Sequence, residues 1–354
     1  MKTSSPWGVG LRKITSHVPV SIYRALFRRD IVSFFYHVIS DESLPHIKHL
    51  YAYKSPEMFE HDLVYLLENY TLVAYEQLVA HLQGQTRLKP NSVLLTFDDG
   101  CRECFSVARP LLLKYGVPCT FFVTTDLIDN QKMAYSSKVS MCIEKVMTSE
   151  EPWRQATFAR LSRSSGRSIE TELDFVEWIE PLMYGDRALI DWVCEALEVD
   201  TAGYLKTQKP FMSLDELRIL ASEGFTIGAH SKSHPLLGKL SAEAIEQEIV
   251  ESCQIIREIT RAESIPFAFP FRGNGLERSL LENIRSRNRV VGYLFDTDGI
   301  RQHQGWILGR IWADAPELDG SGQSNLPGLL YLAYQEMVLG WFRRFKHYLP
   351  TFTA

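Results

Sequence analysis

Thr96-Phe97-Asp98-Asp99-Gly100 closes the most strand-like run in the chain, Val93-Leu94-Leu95. Adjacent strand residues point to opposite sides, yet a strand end followed by glycine can turn both carboxylates toward one pocket. The same pentapeptide reads equally well as a solvated Asp-Gly turn. A second element is Gly228-Ala229-His230-Ser231-Lys232-Ser233-His234-Pro235. His230 and His234 stand four residues apart. That spacing puts them on one face of a helix, or lets them converge in a tight loop. Imidazole nitrogens bind zinc well, and two histidines with one carboxylate leave a coordination position open for water. A histidine pair alone is more often structural than ligating. Its place directly after the apolar run Phe225–Ala229 favours a site.

Strands must carry these groups to a common place. Short apolar runs rich in β-branched and aromatic residues predict buried strands. They are Ile31–Val38, Ser92–Phe97, Cys119–Val123, Phe225–Ala229, Pro266–Phe269, Val290–Phe295 and Trp306–Ile311, with a weaker one at Thr71–Ala74. Helical patterns lie between most of them. Phe59, Leu63, Leu66 and Leu67 form one apolar stripe; Leu78, Val79 and Leu82 form a second; Val107, Leu111, Leu112 and Leu113 form a third. Ser213-Leu214-Asp215-Glu216 is a capping box opening a helix that ends near Gly224. Ser241 caps another, with Ile245, Ile249, Cys253 and Ile256 on one face. Strands alternating with helices predict parallel βα units.

The rhythm breaks between Asp129 and Pro210, a helix-like stretch anchored by Trp153, Phe158, Trp178, Ile179, Trp192 and Leu197. It reads as a helical insertion, 129–210, within one domain spanning 1–354. The Gly/Ser/Pro-rich loop Ala315–Gly328 leads into a C-terminal helix over 328–354.

Composition narrows the function. Hydrophobic residues make up 45% and charged residues 23%, which excludes a disordered, collagen-like or disulfide-scaffold protein. A net charge of -5 gives no bulk attraction for nucleic acid. Cys101, Cys104, Cys119, Cys142, Cys194 and Cys253 form no regular framework and read as reduced thiols. Met1–Val20 has no apolar run long enough for a signal-peptide core, and no window approaches a membrane-spanning helix. A cytoplasmic protein is expected.

TFDDG at one strand end and HSxxHP at another together resemble the polysaccharide deacetylases of the NodB-homology group, carbohydrate esterase family 4. The resemblance covers roughly Ile31–Ile128, Phe211–Gly275 and, more loosely, Val290–Asp314. Phe267-Ala268-Phe269-Pro270-Phe271 resembles the third motif of that family. Phe35-Tyr36-His37-Val38 and Leu308-Gly309-Arg310-Ile311 resemble motifs of its exopolysaccharide and capsule branch. The insertion has no counterpart in the minimal family domain. The resemblance implies a distorted (β/α) barrel of seven or eight strands, with a metal site at the C-terminal strand ends. Independently, His37, Asp98, Asp99, His230, Pro270 and Arg310 each sit at or just beyond a predicted strand end. Barrel active sites lie at that face.

The resemblance also implies roles in hydrolysing an N-acetyl amide. Asp99, His230 and His234 hold a divalent metal, expected to be zinc. Asp98 is the general base, and Arg310 orients it and keeps it ionised. The backbone N–H of Phe271 donates to the developing oxyanion, a role a backbone donor fills whatever the side chain. The late Leu-x-His of many members is missing here. His37 is preferred as general acid, with His303 in the polar loop Arg301–Gln304 as the competitor and core packing as the other reading of His37.

The expected substrate is an N-acetylated sugar or glycan precursor, nucleotide- or lipid-linked. A deacylase of a small non-sugar amide and a non-catalytic glycan-binding relative are the alternatives. Cys101 and Cys104 read as helix-packing residues rather than a redox pair, and His46 and His49 as exposed loop residues. The insertion's aromatics read as a local core or a sugar-cleft wall. The last helix, with Arg343, Arg344 and Lys346 after its apolar residues, reads first as packed on the barrel and second as a peripheral membrane contact.

Overall fold

The structure, a computed structural model, describes residues 31–300, 302–303, 305–315 and 326–346, with side chains through 337 in the last segment. The Met1–Val20 stretch, the centre of the Ala315–Gly328 loop, the side chain of His303 and the basic end of the final helix lie outside the described residues.

Among the described residues, ten strands form one sheet: β1 (Ile31–Tyr36), β2 (Thr71–Leu72), β3 (Ser92–Phe97), β4 (Thr120–Val123), β5 (Thr226–Ala229), β6 (Ile265–Ala268), β7 (Val291–Asp296), β8 (Gln302–His303), β9 (Ile307–Gly309) and β10 (Ile311–Trp312). The path runs β10-β1-β3-β4-β5-β6-β7-β9-β8, with β2 beside β3. Every pairing is parallel except β8 with β9. The two ends of the path meet in the chain. β9 pairs with β7 and β10 pairs with β1, and only Arg310 separates them. The run expected as one strand, Trp306–Ile311, is thus a broken one whose halves close the barrel. The architecture is the distorted, nearly closed α/β barrel expected from the strand and helix alternation.

Continuous burial along β1, β3, β4, β6 and β7 explains why they read as apolar runs rather than alternating ones. Helices cover the outside. Ser213 accepts from the Glu216 N–H in the expected capping box, and that helix, Leu214–Ser222, ends just before Gly224. Ser241 caps Ala242–Thr260, which buries Ile245, Ile249, Cys253 and Ile256.

The stretch 129–210 is helical, with its longest helices at Tyr135–Thr148, Glu151–Ser165 and Arg187–Ala196. It has a core of its own, in which Phe158, Phe175, Trp178, Ile190 and Leu197 are buried. Trp153 and Trp192 lie partly buried against it. The final helix spans Leu326–Lys346, and its Leu326, Leu330 and Tyr334 join the barrel core. Among the described residues no helix is long and apolar enough to cross a membrane.

Two expectations are corrected. Cys101 does not open a helix; it forms a β-bridge to Phe211, and helical turns begin at Cys104. Both thiols are buried, and burial raises their pKa well above the ordinary value, so neither is a reactive thiolate. His46 and His49 are not simple exposed loop residues. His46 is buried, and His49 lines the main cavity.

Candidate active site and metal centre

Asp98 and Asp99 follow β3, His230 follows β5, Phe271 follows β6, and His37 follows β1. All five, with His234, line one cavity of about 550 Å³ at the C-terminal strand ends. The size suits a small ligand rather than a single water.

The DDG turn solves the problem of bringing adjacent carboxylates to one side. Asp99 has φ 71° and Gly100 has φ 85°, so the chain reverses twice in the left-handed region. A side chain at 100 would also bring a Cβ to 2.9 Å from Val123 Cγ1, so only glycine fits. Ser231, His234 and Phe271 also have positive φ, at 62°, 61° and 60°. Non-glycine residues hold this conformation only where their surroundings enforce it, and they cluster at functional sites. Around Ser231 and His234, Glu248 enforces it. Its carboxylate accepts from the Lys232 and Ser233 N–H groups, each at 2.9 Å, and from Ser233 Oγ at 2.6 Å. The His234 N–H donates to Ser231 Oγ at 3.0 Å.

Asp99, His230 and His234 each offer one ligand atom, all within 4.8 Å of one another. Asp99 Oδ1 lies 3.1 Å from His234 Nε2 and 3.4 Å from His230 Nε2. His230 Nδ1 lies 3.0 Å from the Ala268 carbonyl, which can only accept. The proton of a neutral His230 is therefore on Nδ1, and its Nε2 presents a lone pair to the carboxylate. Asp99 Oδ1 is buried and finds no well-aligned donor among the described residues. Two acceptors facing each other need a cation between them, so these residues fit a divalent metal. Burial works to raise the Asp99 pKa, but the neighbouring imidazoles, His234 first and then His230 and His37, outweigh it and hold the carboxyl well below its usual range.

Arg310, at the break between β9 and β10, is fully buried. Its Nη1 donates to Asp98 Oδ1 at 2.6 Å and its Nη2 to Asp98 Oδ2 at 2.8 Å. Nη1 also donates to Thr96 Oγ1 at 3.0 Å, and Phe35 and Phe122 flank the guanidinium at 4.7 and 5.1 Å. Burial alone would raise the Asp98 pKa; Arg310 chiefly reverses that and leaves it below the ordinary value.

His37 is held by Asp314. The His37 N–H donates to Asp314 Oδ1 at 3.0 Å, and Nδ1 donates to Oδ2. Trp312 Nε1 donates to the same Oδ2 at 2.6 Å. Burial works against the imidazolium, yet Asp314, with Asp99 and Asp98 behind it, raises His37 to about 9. The Arg272 N–H donates to Pro270 O at 2.7 Å, closing a tight turn on Phe271. A trans peptide fixes N–H opposite C=O, so this bond also orients the Phe271 N–H. Asp296 Oδ1 supports the loop by accepting from Gly273 N–H at 2.8 Å.

Asp314, Tyr51 and Glu248 were not expected at the site. Each is a lone polar residue without a motif. The only signal was that the weak third block of resemblance ended at Asp314.

The model of the family described as polysaccharide deacetylase matches residues 85–160 and 191–286. The chain carries a polysaccharide deacetylase domain of the NodB type. The gap in the match, 161–190, falls inside the helical stretch, and the matched parts hold Asp98, Asp99, His230, His234 and Phe271. The deacetylase PplD of Streptococcus pyogenes, solved with acetate, covers 86% of this chain and 97% of its own at 17% identity and TM-score 0.52. IcaB from Ammonifex degensii covers the same shares at 15% identity and TM-score 0.51. A Bacillus cereus polysaccharide deacetylase covers 87% of this chain and 70% of its own at 16% identity and TM-score 0.50. These likenesses establish the shared fold. An uncharacterized 30.6 kDa Geobacillus stearothermophilus protein is 31% identical over 108 residues, which is 30% of this chain and 39% of the relative.

Proposed function

We propose that the chain is a metal-dependent hydrolase that removes N-acetyl groups from an amino sugar or glycan precursor of the exopolysaccharide or capsule kind. The observation that carries the reading is Asp99 Oδ1, buried between two imidazoles beside an Asp98 that Arg310 keeps ionised. Asp99, His230 and His234 would hold the ion, with zinc the expected metal for this donor set. Held by these three residues, it would supply Lewis acidity toward the amide carbonyl and a lowered pKa for water.

The remaining steps belong to the chain. Asp98, charged at neutral pH, takes a proton from the attacking water. The Phe271 N–H stabilises the oxyanion. His37 is protonated at neutral pH through Asp314 and supplies a proton to the leaving amine from Nε2. The cavity walls fit a sugar: Phe35, Tyr51, Tyr135, Phe271 and Trp312 offer faces for a pyranose, with Glu180, Ser136 and Thr297 as polar partners.

The single-domain reading of 1–354, with 129–210 as a wall of the substrate cavity, belongs to the same proposal. Its support is that Tyr135, Ser136, Val139, Glu180, Leu182 and Met183 all line that cavity. The test is acetate release from free, nucleotide-linked and lipid-linked N-acetyl sugars, with zinc and with a chelator. Release that needs zinc supports the reading; binding of glycan without release would make the protein a lectin-like relative. Release confined to small non-sugar amides would make it a general deacylase.

A further inference from the structure

The loop that follows β1 crosses to the insertion before it reaches the cavity. Glu144, on the helix Tyr135–Thr148, accepts from Lys48 Nζ at 3.0 Å and from His49 Nε2 at 2.7 Å. Ser140, one turn earlier, donates from Oγ to the Pro45 carbonyl at 2.7 Å and accepts from the His49 N–H at 3.3 Å. His46 Nδ1 shares a hydrogen bond of 2.9 Å with the hydroxyl of Tyr204, on the helix Thr201–Thr207. Five hydrogen bonds therefore tie residues 45–49 to two helices of the insertion.

Tyr51 comes two residues after His49. Its hydroxyl donates to Asp99 Oδ2 at 3.3 Å. Its ring lies 4.6 Å from the His37 ring, tilted by 32°. One side chain thus touches both the carboxylate offered to the metal and the imidazole read as the acid. Asp99 presents Oδ1 to the histidines, and a donor on Oδ2 stops the carboxylate rotating out of that arrangement. Partners behind a ligand commonly set how well it holds its ion.

We propose that Tyr51 is a positioning residue for Asp99 and His37, and that the insertion holds it in place through Glu144 and Ser140. The inference rests on the metal-dependent reading above. It makes the helical stretch part of the catalytic architecture as well as a wall for substrate. Glu144 would then act on the metal through a loop, without touching it.

The test is the zinc dissociation constant of the purified full-length chain, measured by competition with a chromogenic chelator. Tyr51→Phe keeps the ring and its contact with His37 and removes only the hydroxyl. It should weaken zinc binding about 10- to 100-fold, with an unchanged far-ultraviolet spectrum. Glu144→Ala should weaken it in the same direction by a smaller factor, and Glu144→Gln, which retains an acceptor for His49, should recover most of that loss. If Glu144 acts through Tyr51, adding Glu144→Ala to Tyr51→Phe should cost little more. Should Glu144→Ala not fold, Ser140→Ala in the same cycle takes its place. A Tyr51→Phe chain that binds zinc as the wild type does overturns the inference alone. Full additivity in the double variant removes Glu144 from it. A wild-type chain that binds no zinc overturns the metal reading and this inference with it.

Discussion

Arg310 grips Asp98 with two nitrogens, at 2.6 and 2.8 Å, from the one residue that separates the two halves of the last strand. Removing that residue should cost more than a surface charge. Arg310→Ala leaves a buried carboxylate without its cation, a loss of about 3–5 kcal/mol, to be read from urea unfolding. Arg310→Lys keeps a charge but loses the two-pronged grip, and should fall between. The sign of the pH effect follows from the depressed pKa of Asp98. Its contribution to stability is present above the unfolded carboxyl value and is lost as pH falls through the lower folded value. Without Arg310, burial raises that pKa, so the acid limb of activity should move to higher pH. A limb that stays put would show that Asp98 is not the base.

Base and ligand should separate by substitution. Asp98→Asn should lower turnover by about 10²–10⁴-fold while zinc content, by elemental analysis of folded protein, stays at wild type. Asp99→Asn should lose zinc as well. If both variants keep metal and turnover, the two aspartates form only a turn.

His37 and Asp314 should act as one unit on the leaving group. His37→Ala should slow amide hydrolysis by about 10²–10⁴-fold, and hydrolysis of an activated ester much less, because its leaving group hardly needs a proton. The His37 pKa is raised to about 9, so its contribution to stability is fully present below the unfolded value and is lost as pH rises through the folded one, up to which the imidazole keeps its proton. Asp314→Asn should therefore bring the alkaline limb of amide hydrolysis to lower pH. Equal losses on ester and amide would remove His37 from the mechanism.

Gly100 is the steric key of the aspartate turn. Gly100→Ala combines a φ of 85° with a Cβ 2.9 Å from Val123 Cγ1. It should destabilise by about 1–3 kcal/mol and disturb zinc affinity, because Asp99 precedes it directly. A variant as stable as wild type would mean that the turn relaxes without moving the site.

The cavity wall should govern choice of substrate. Replacing Leu182 and Met183 with serine should change KM across N-acetyl sugars, while acetate release from a small ester stays near wild type. Uniform loss on every substrate would assign the wall a role in folding instead.

Much of this was legible in one dimension because buried parallel strands leave unbroken apolar runs, and chemistry placed just after such runs shares a face. His37, Asp98, Asp99, His230, Pro270 and Arg310 could be put at one end of the barrel on that ground. Asp314 could not. It reaches His37 only because β1 pairs with β10, aligning Phe34 with Ile311 across the whole chain. His46 and His49 misled for a related reason. A short polar segment after Pro45 reads as solvated, and the groups that cover it, Tyr204 and Glu144, lie 158 and 95 residues further on. The broken strand was also hidden, because Gly309-Arg310 interrupts the run for only two residues, with apolar residues on both sides.

That break ties chemistry to the order in which the chain becomes available. The pairing that completes the ring joins the first described strand to residues 311–312, among the most distant partners the sheet contains. Contacts of such separation form late. During synthesis, the two aspartates and two histidines can gather around β3, β4 and β5 long before Arg310 and Asp314 exist. A nascent chain could thus present Asp99, His230 and His234 to a metal while Asp98 still lacks Arg310 and His37 still lacks Asp314. Metal capture would precede competence, which would wait until residues 310–314 had left the ribosome.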